Sequence, residues 1–186
     1  MQMNRDKIKV PRLGIDIGRV IMAPIEGGKA DTTFLSGSIS DAMQTPPTSG
    51  ALAAIKTLVD MFKGNVWLIS KAGKNTEKKT RLWLHHWNFY NSTNVAEDNL
   101  RFCLKRSEKA IHSDELKINF FIDDRLDVLS HLQGIVPNLY LFGEQPLEQN
   151  AQADILEARI TTVINWSETT KTIIKDLSDF KKKTGS

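Results

Sequence analysis

The chain has one cysteine in 186 residues. Cys103 therefore has no partner for an intrachain disulfide, and a cysteine-based zinc site is excluded. No apolar run approaches the ~18 residues that a membrane-spanning helix needs. The opening stretch, Met1-Gln2-Met3-Asn4-Arg5-Asp6-Lys7, leads into no long apolar segment, which argues against a secretory signal. The expected compartment is cytoplasmic. Internal repeats and low-complexity segments are lacking as well. So is a strong excess of one charge: 25 basic residues stand against 22 acidic ones, a net +3 that demands no nucleic-acid partner. What is present is an ordinary globular composition, 40% hydrophobic and 25% charged, which excludes a disordered chain. A chain of this length buries about two thirds of the surface it exposes when unfolded, so it needs neither staples nor a structural metal. One domain spanning 1–186 is expected.

Two basic clusters stand out. Lys71, Lys74, Lys78, Lys79 and Arg81 form one, and Lys181-Lys182-Lys183 forms the other. The first reads as a solvated helix face. If Lys74, Lys78 and Lys79 instead line an entrance, a polyanion such as a nucleotide or a nucleic-acid end is favoured, and its binding would depend strongly on salt. The second reads as part of a disordered tail, 181–186.

Short apolar runs alternate with helical patterns. Arg12 to Ile17, Val66 to Ile69, Leu100 to Leu104, Ile118 to Ile122, Leu139 to Phe142 and Arg159 to Ile164 read as strands. Helical spacing marks Ala51–Phe62, Thr76–Trp87, Glu108–Leu116, Leu126–Leu132 and Trp166–Phe180. Residues 22–50 are rich in Gly, Pro, Ser and Thr and read as an irregular loop or small lid. Strands without polar alternation, separated by helices, predict an α/β fold: a three-layer, Rossmann-like, mostly parallel sheet with helices on both faces. In such sheets ligands sit beyond the carboxyl ends of the strands, at a switch in strand order. The polar residues at those ends are Asp16, Ser70 and Asp123-Asp124.

Their chemistry is coherent. Two adjacent carboxylates ionise together only at a cost. A divalent cation removes that cost, and magnesium takes one or two carboxylates with waters and phosphate oxygens. Asp16 can supply a third carboxylate and can also act as a nucleophile, as in aspartyl-phosphate chemistry. Ser70 opens a turn into a helix, with Lys71, Gly73 and Asn75 nearby, where a hydroxyl and free N–H groups hold an anion. Lys109, on the helix before Asp123, can pair with the nucleophile and a phosphoryl group. Such a set suits phosphoryl transfer, in which positioning and charge neutralisation do most of the work. Singly, each residue has a blander role: an aspartate after a strand forms turns, and Asp123-Asp124 can cap the next helix.

Four segments resemble motifs of the haloacid dehalogenase-like superfamily. Leu13-Gly14-Ile15-Asp16-Ile17-Gly18-Arg19-Val20-Ile21 is similar to the first. Val66 to Lys71 is similar to the second, Lys109 to the third (with Lys105 as the competing lysine), and Phe120-Phe121-Ile122-Asp123-Asp124-Arg125 to the fourth. The resemblance covers about residues 12 to 145. It implies a Rossmann-like fold, Mg²⁺ dependence and hydrolysis of a small phosphorylated substrate through an aspartyl-phosphate on Asp16. Asp16, the backbone carbonyl of Gly18, Asp123 and Asp124 would then hold the metal. Ser70 and Lys109 would clamp the phosphoryl group, beside Lys71, and Asp127 would act one step behind. The spacing to either side of Ser70 leaves no room for a complete cap domain, so the resemblance is to a capless or minimally capped member.

One departure bears on activity. Phosphatases of that superfamily carry a second aspartate two residues after the nucleophile, as general acid and base. Gly18 stands there, and the missing help is ordinarily worth ~10²–10⁴-fold. Arg19 follows, either to contact phosphate or to lie in solvent. Two readings remain beside a phosphatase: a catalytically weak or inactive member that binds metal and a phosphorylated ligand or a protein, and a receiver-type signalling domain. In a receiver the acidic pair comes early, whereas here it comes late. His85-His86 point about 100° apart on a helix and do not readily share one ion. The four tryptophans read as packing residues and Cys103 as a small buried hydrophobe. Arg125 reads as a salt-bridge partner or a substrate contact.

Overall fold

A computed structural model describes residues 10–23, 34–145 and 160–184. Six strands form one sheet: β1 (Leu13–Ile15), β2 (Val66–Lys71), β3 (Leu100–Cys103), β4 (Phe120–Asp123), β5 (Asn138–Phe142) and β6 (Ile160–Val163). The order is β3-β2-β1-β4-β5-β6 and every pairing is parallel. The described helices are α1 (Ile39–Gln44), α2 (Ala51–Met61), α3 (Lys74–His86), α4 (Phe89–Thr93), α5 (Lys109–Glu115, entered through a 3₁₀ turn at Arg106–Glu108), α6 (Leu126–His131) and α7 (Trp166–Thr184). This is the expected α/β architecture.

The two faces of the sheet bury separate apolar sets, as the period of two along a strand requires. Leu13, Ile15, Leu68, Phe120, Ile122 and Tyr140 point to one side, against Ile55, Leu58 and Val59 of α2 and Ile173 and Leu177 of α7. Ile69, Phe121, Leu139 and Leu141 point to the other, against Leu126 and Leu129 of α6. Burial on both faces is why these strands read as unbroken apolar runs. Gly14, in the middle of β1, has a packing reason. A Cβ there would lie 2.5 Å from the Phe121 ring, so only glycine lets that ring cross the strand.

Two segments differ from the sequence reading. Within 22–50, the described part contains the helix α1, which Ser38 starts with a capping box: its side chain takes the Asp41 N–H while the Asp41 carboxylate takes the Ser38 N–H. The last helix continues through Lys181-Lys182-Lys183 to Thr184, where a disordered tail was expected; residues 185–186 lie outside the described part. Among the described residues no helix is long and apolar enough to cross a membrane.

Candidate active site

The sheet order reverses between β1 and β4, and this is where the polar strand ends meet. Asp16 follows β1 directly, and its N–H donates to the Ile122 carbonyl at 2.9 Å, tying the first carboxylate to the strand that ends in Asp123. One oxygen from each of Asp16, Asp123 and Asp124 lies within 4.8 Å of the others. Asp16 is 7% exposed and Asp123 fully buried.

Lys109, the first residue of α5, enters this cluster from below. Its ammonium donates to Asp123 Oδ2 at 2.7 Å and lies 2.8 Å from Asp16 Oδ1. Asp16 Oδ1 is buried and has this ion pair as its contact. Asp123 Oδ1 takes the N–H of Arg125 at 3.0 Å. Asp124 is ion-paired with Arg19. Lys105, by contrast, is exposed at the start of the 3₁₀ turn, so Lys109 is the lysine at the cluster.

The charges are unbalanced. Burial alone would lower the Lys109 pKa, but Asp123 and Asp16 more than offset it and hold the ammonium well above its ordinary pKa. Burial, only partly offset by Lys109, pushes the Asp123 carboxyl up to about 8, with the charges of Asp16 and Asp124 adding to the rise. Burial and the Asp16 charge likewise push Asp124 up to about 6, against the pull of Arg19. Three crowded carboxylates, with one oxygen of each within 4.8 Å of the others, form an all-oxygen donor set suited to a hard divalent cation such as Mg²⁺.

A cavity of about 170 Å³ opens above the cluster. Asp16, Gly18, Arg19, Ser70, Lys71, Lys109 and Asp124 all line it, so the structure brings together every one of these candidates; Asp123 lies sealed beneath. Phe34 and Leu35, from the described part of the 22–50 segment, form an apolar wall. Arg106 also lines the cavity and was not singled out in the sequence. Its signal was available, three residues before Lys109. Asp127 is half exposed and holds the Arg125 guanidinium at 2.8 Å, so it reaches Asp123 only through Arg125.

Lys79 does not face this cavity. Its ammonium is buried and donates to three backbone carbonyls, of Phe34 at 3.1 Å, Leu35 at 3.0 Å and Gly37 at 2.6 Å. It pins the apolar wall to α3, so the imagined row of Lys74, Lys78 and Lys79 at an entrance is not formed. Cys103 is buried, its thiol donates to the Ser70 carbonyl at 3.7 Å, and burial pushes its pKa up to about 11; it is not a reactive thiolate. His85 and His86 are exposed, and His85 sits 3.0 Å from Glu97.

Solved structures share this arrangement of strands. The D,D-heptose 1,7-bisphosphate phosphatase from B. bronchiseptica, crystallised with magnesium and phosphate, superposes with a TM-score of 0.61 at 10% identity, over 89% of this chain and 99% of that one. The chain shares the fold of that phosphatase. A haloacid dehalogenase-like hydrolase from Burkholderia xenovorans LB400 matches with a TM-score of 0.55 at 12% identity, over 87% of this chain and 95% of that one. The heptose bisphosphate phosphatase from Burkholderia thailandensis gives 0.52 at 10% identity, over 88% and 98%. No protein-family model matches the chain, and no curated protein matches it by sequence.

Proposed function

We propose that this chain is a Mg²⁺-dependent phosphatase that hydrolyses a small phosphomonoester through an aspartyl-phosphate on Asp16. The observation that carries the reading is the convergence of Asp16, Asp123 and Asp124 around the buried Lys109, under an open cavity. The shared fold with phosphatases, one of them crystallised with magnesium and phosphate, supports it.

Asp16, Asp123 and Asp124, with the Gly18 carbonyl, would hold the metal. Bound there, it would offset the carboxylates' charge and polarise a phosphoryl oxygen. Lys109, 2.8 Å from Asp16 Oδ1, holds Asp16 in place for attack. An Asp16 oxygen bonds to phosphorus as the bond to the departing alcohol breaks, and the alcohol oxygen takes its proton from solvent. Water then adds to phosphorus, the bond to Asp16 breaks, and inorganic phosphate leaves. Ser70 and Lys71, at the end of β2, hold the phosphoryl oxygens. A cavity of about 170 Å³ suits a small substrate. The described part of 22–50, with Phe34 and Leu35 at the cavity, acts as a minimal lid on a single domain.

The second reading is a metal- and phosphate-binding protein with little turnover. Gly18 favours it, because no carboxyl reaches the leaving group from that position. Hydrolysis of p-nitrophenyl phosphate with Mg²⁺, absent in Asp16→Asn, supports the phosphatase. Mg²⁺ binding without turnover in the unmodified chain supports the binding module.

A further inference from the structure

Lys109 contacts Asp16 and Asp123, while Asp124 has its own cation in Arg19. Arg19 sits at φ 58, in the left-handed region that non-glycine residues seldom occupy. The turn that holds it there is firmly tied. Ile21 and Met22 both donate to the Ile17 carbonyl, at 2.9 and 3.0 Å, and Trp166 Nε1 donates to the Val20 carbonyl at 3.0 Å. The backbone thus aims the guanidinium at Asp124, yet the side chain is 40% exposed and lines the cavity. It has space to leave.

We propose that Arg19 is a resident counter-ion, which Asp124 exchanges for the divalent cation, and that the released guanidinium then binds the phosphoryl group. This rests on the metal and phosphate reading given above. With a divalent ion bound, the three carboxylates stand against that ion, Lys109 and Arg19, which leaves one positive charge, complementary to a phosphate dianion. Arg19 competes with the metal when it is on Asp124 and assists phosphate when it is off. Metal and phosphate therefore reinforce each other's binding, and the reinforcement is reciprocal. Arginine suits both stations, because its planar fork fits carboxylate and phosphate alike.

The test is calorimetric titration of the full chain and its Arg19→Gln and Arg19→Ala variants, with thermal melting as the check on folding. The ligands are Mg²⁺ alone, and inorganic phosphate at saturating Mg²⁺. Loss of one charge-assisted contact predicts Mg²⁺ binding on the order of 10-fold tighter in both variants, and phosphate binding on the order of 10-fold weaker. Mg²⁺ binding seen only in the variants also supports the exchange. Equal or weaker Mg²⁺ affinity in folded variants overturns it and leaves the metal site standing. Absence of Mg²⁺ binding in all three proteins overturns the metal reading and this inference together.

Discussion

Lys109 and Asp123 form an ion pair at 2.7 Å with both side chains sealed from solvent, at 2% and 0% exposure. Removing one partner of such a pair strands the other charge. Lys109→Ala is expected to cost about 3–5 kcal/mol of folding stability, read from urea denaturation. Millimolar Mg²⁺ should restore more stability to the variant than it adds to the unmodified chain, because the cation replaces the lost ammonium. Equal Mg²⁺ effects on both would contradict a shared cation site.

Gly18 faces open space: a Cβ built there meets nothing within 4 Å, and its backbone is outside the left-handed region. Gly18→Asp therefore introduces a carboxyl two residues after Asp16 without strain. Turnover of an alkyl phosphate, whose leaving group needs a proton, should rise by about 10²-fold, with a much smaller gain on p-nitrophenyl phosphate. Steady-state kinetics on the two substrates decides it, and an equal gain on both would refute a proton-donor role.

Arg106 is exposed, lines the cavity and carries no ion pair among the described residues. Arg125, which also lines the cavity, is already held by Asp127. Arg106→Ala should raise KM for phosphorylated substrates by about 10-fold, consistent with one charge-assisted contact, and leave kcat within about 2-fold. A fall in kcat at constant KM would move Arg106 from binding to chemistry.

Tyr140 gives a pH signature away from the site. Its buried hydroxyl donates to Asp176 Oδ2 at 2.8 Å, and burial first, then Asp176, raises its pKa far above the ordinary phenol. The unfolded chain loses that proton near pH ~10 while the folded chain keeps it. Stability from this group is complete below that pH and falls above it by about 1.4 kcal/mol per unit. Tyr140→Phe should cost about 1 kcal/mol at neutral pH and flatten the alkaline decline, as followed by denaturation at pH 9 to 11.

Much of this was legible in the chain because burial writes itself into composition. Strands β1, β2, β4 and β5 are covered on both faces, so each holds an apolar run; the first three runs stop at Asp16, Ser70 and Asp123, and β5 stops at Gly143. The edge strand β3 carries half-buried Arg101 and Phe102 and is correspondingly fainter. The five-residue helix α4 was unreadable: it is flanked by Asn88 and Asn94, both in the left-handed region, and is too short to show a period. The acidic trio was readable because strand ends converge by topology.

Side-chain partners are another matter. Lys79 was grouped with Lys74 and Lys78 as one basic face, though it lies four residues before the buried Trp83 and so shares its inward side. The pairing of Arg19 with Asp124 depends on a turn and a strand far apart in the chain, and nothing local announces it.

The central position of β1 has a consequence for biosynthesis. This strand emerges first, yet its second neighbour, β4, is the fourth to leave the ribosome. Until then one flank of β1 stays open and Asp16 lacks both Lys109 and Asp123. Such distant pairing is slow to form, so the three carboxylates cannot converge until Phe120–Asp123 has been translated. Stalled or truncated products ending ahead of Phe120 would leave the apolar flank of β1 uncovered, which makes them natural quarry for chaperones.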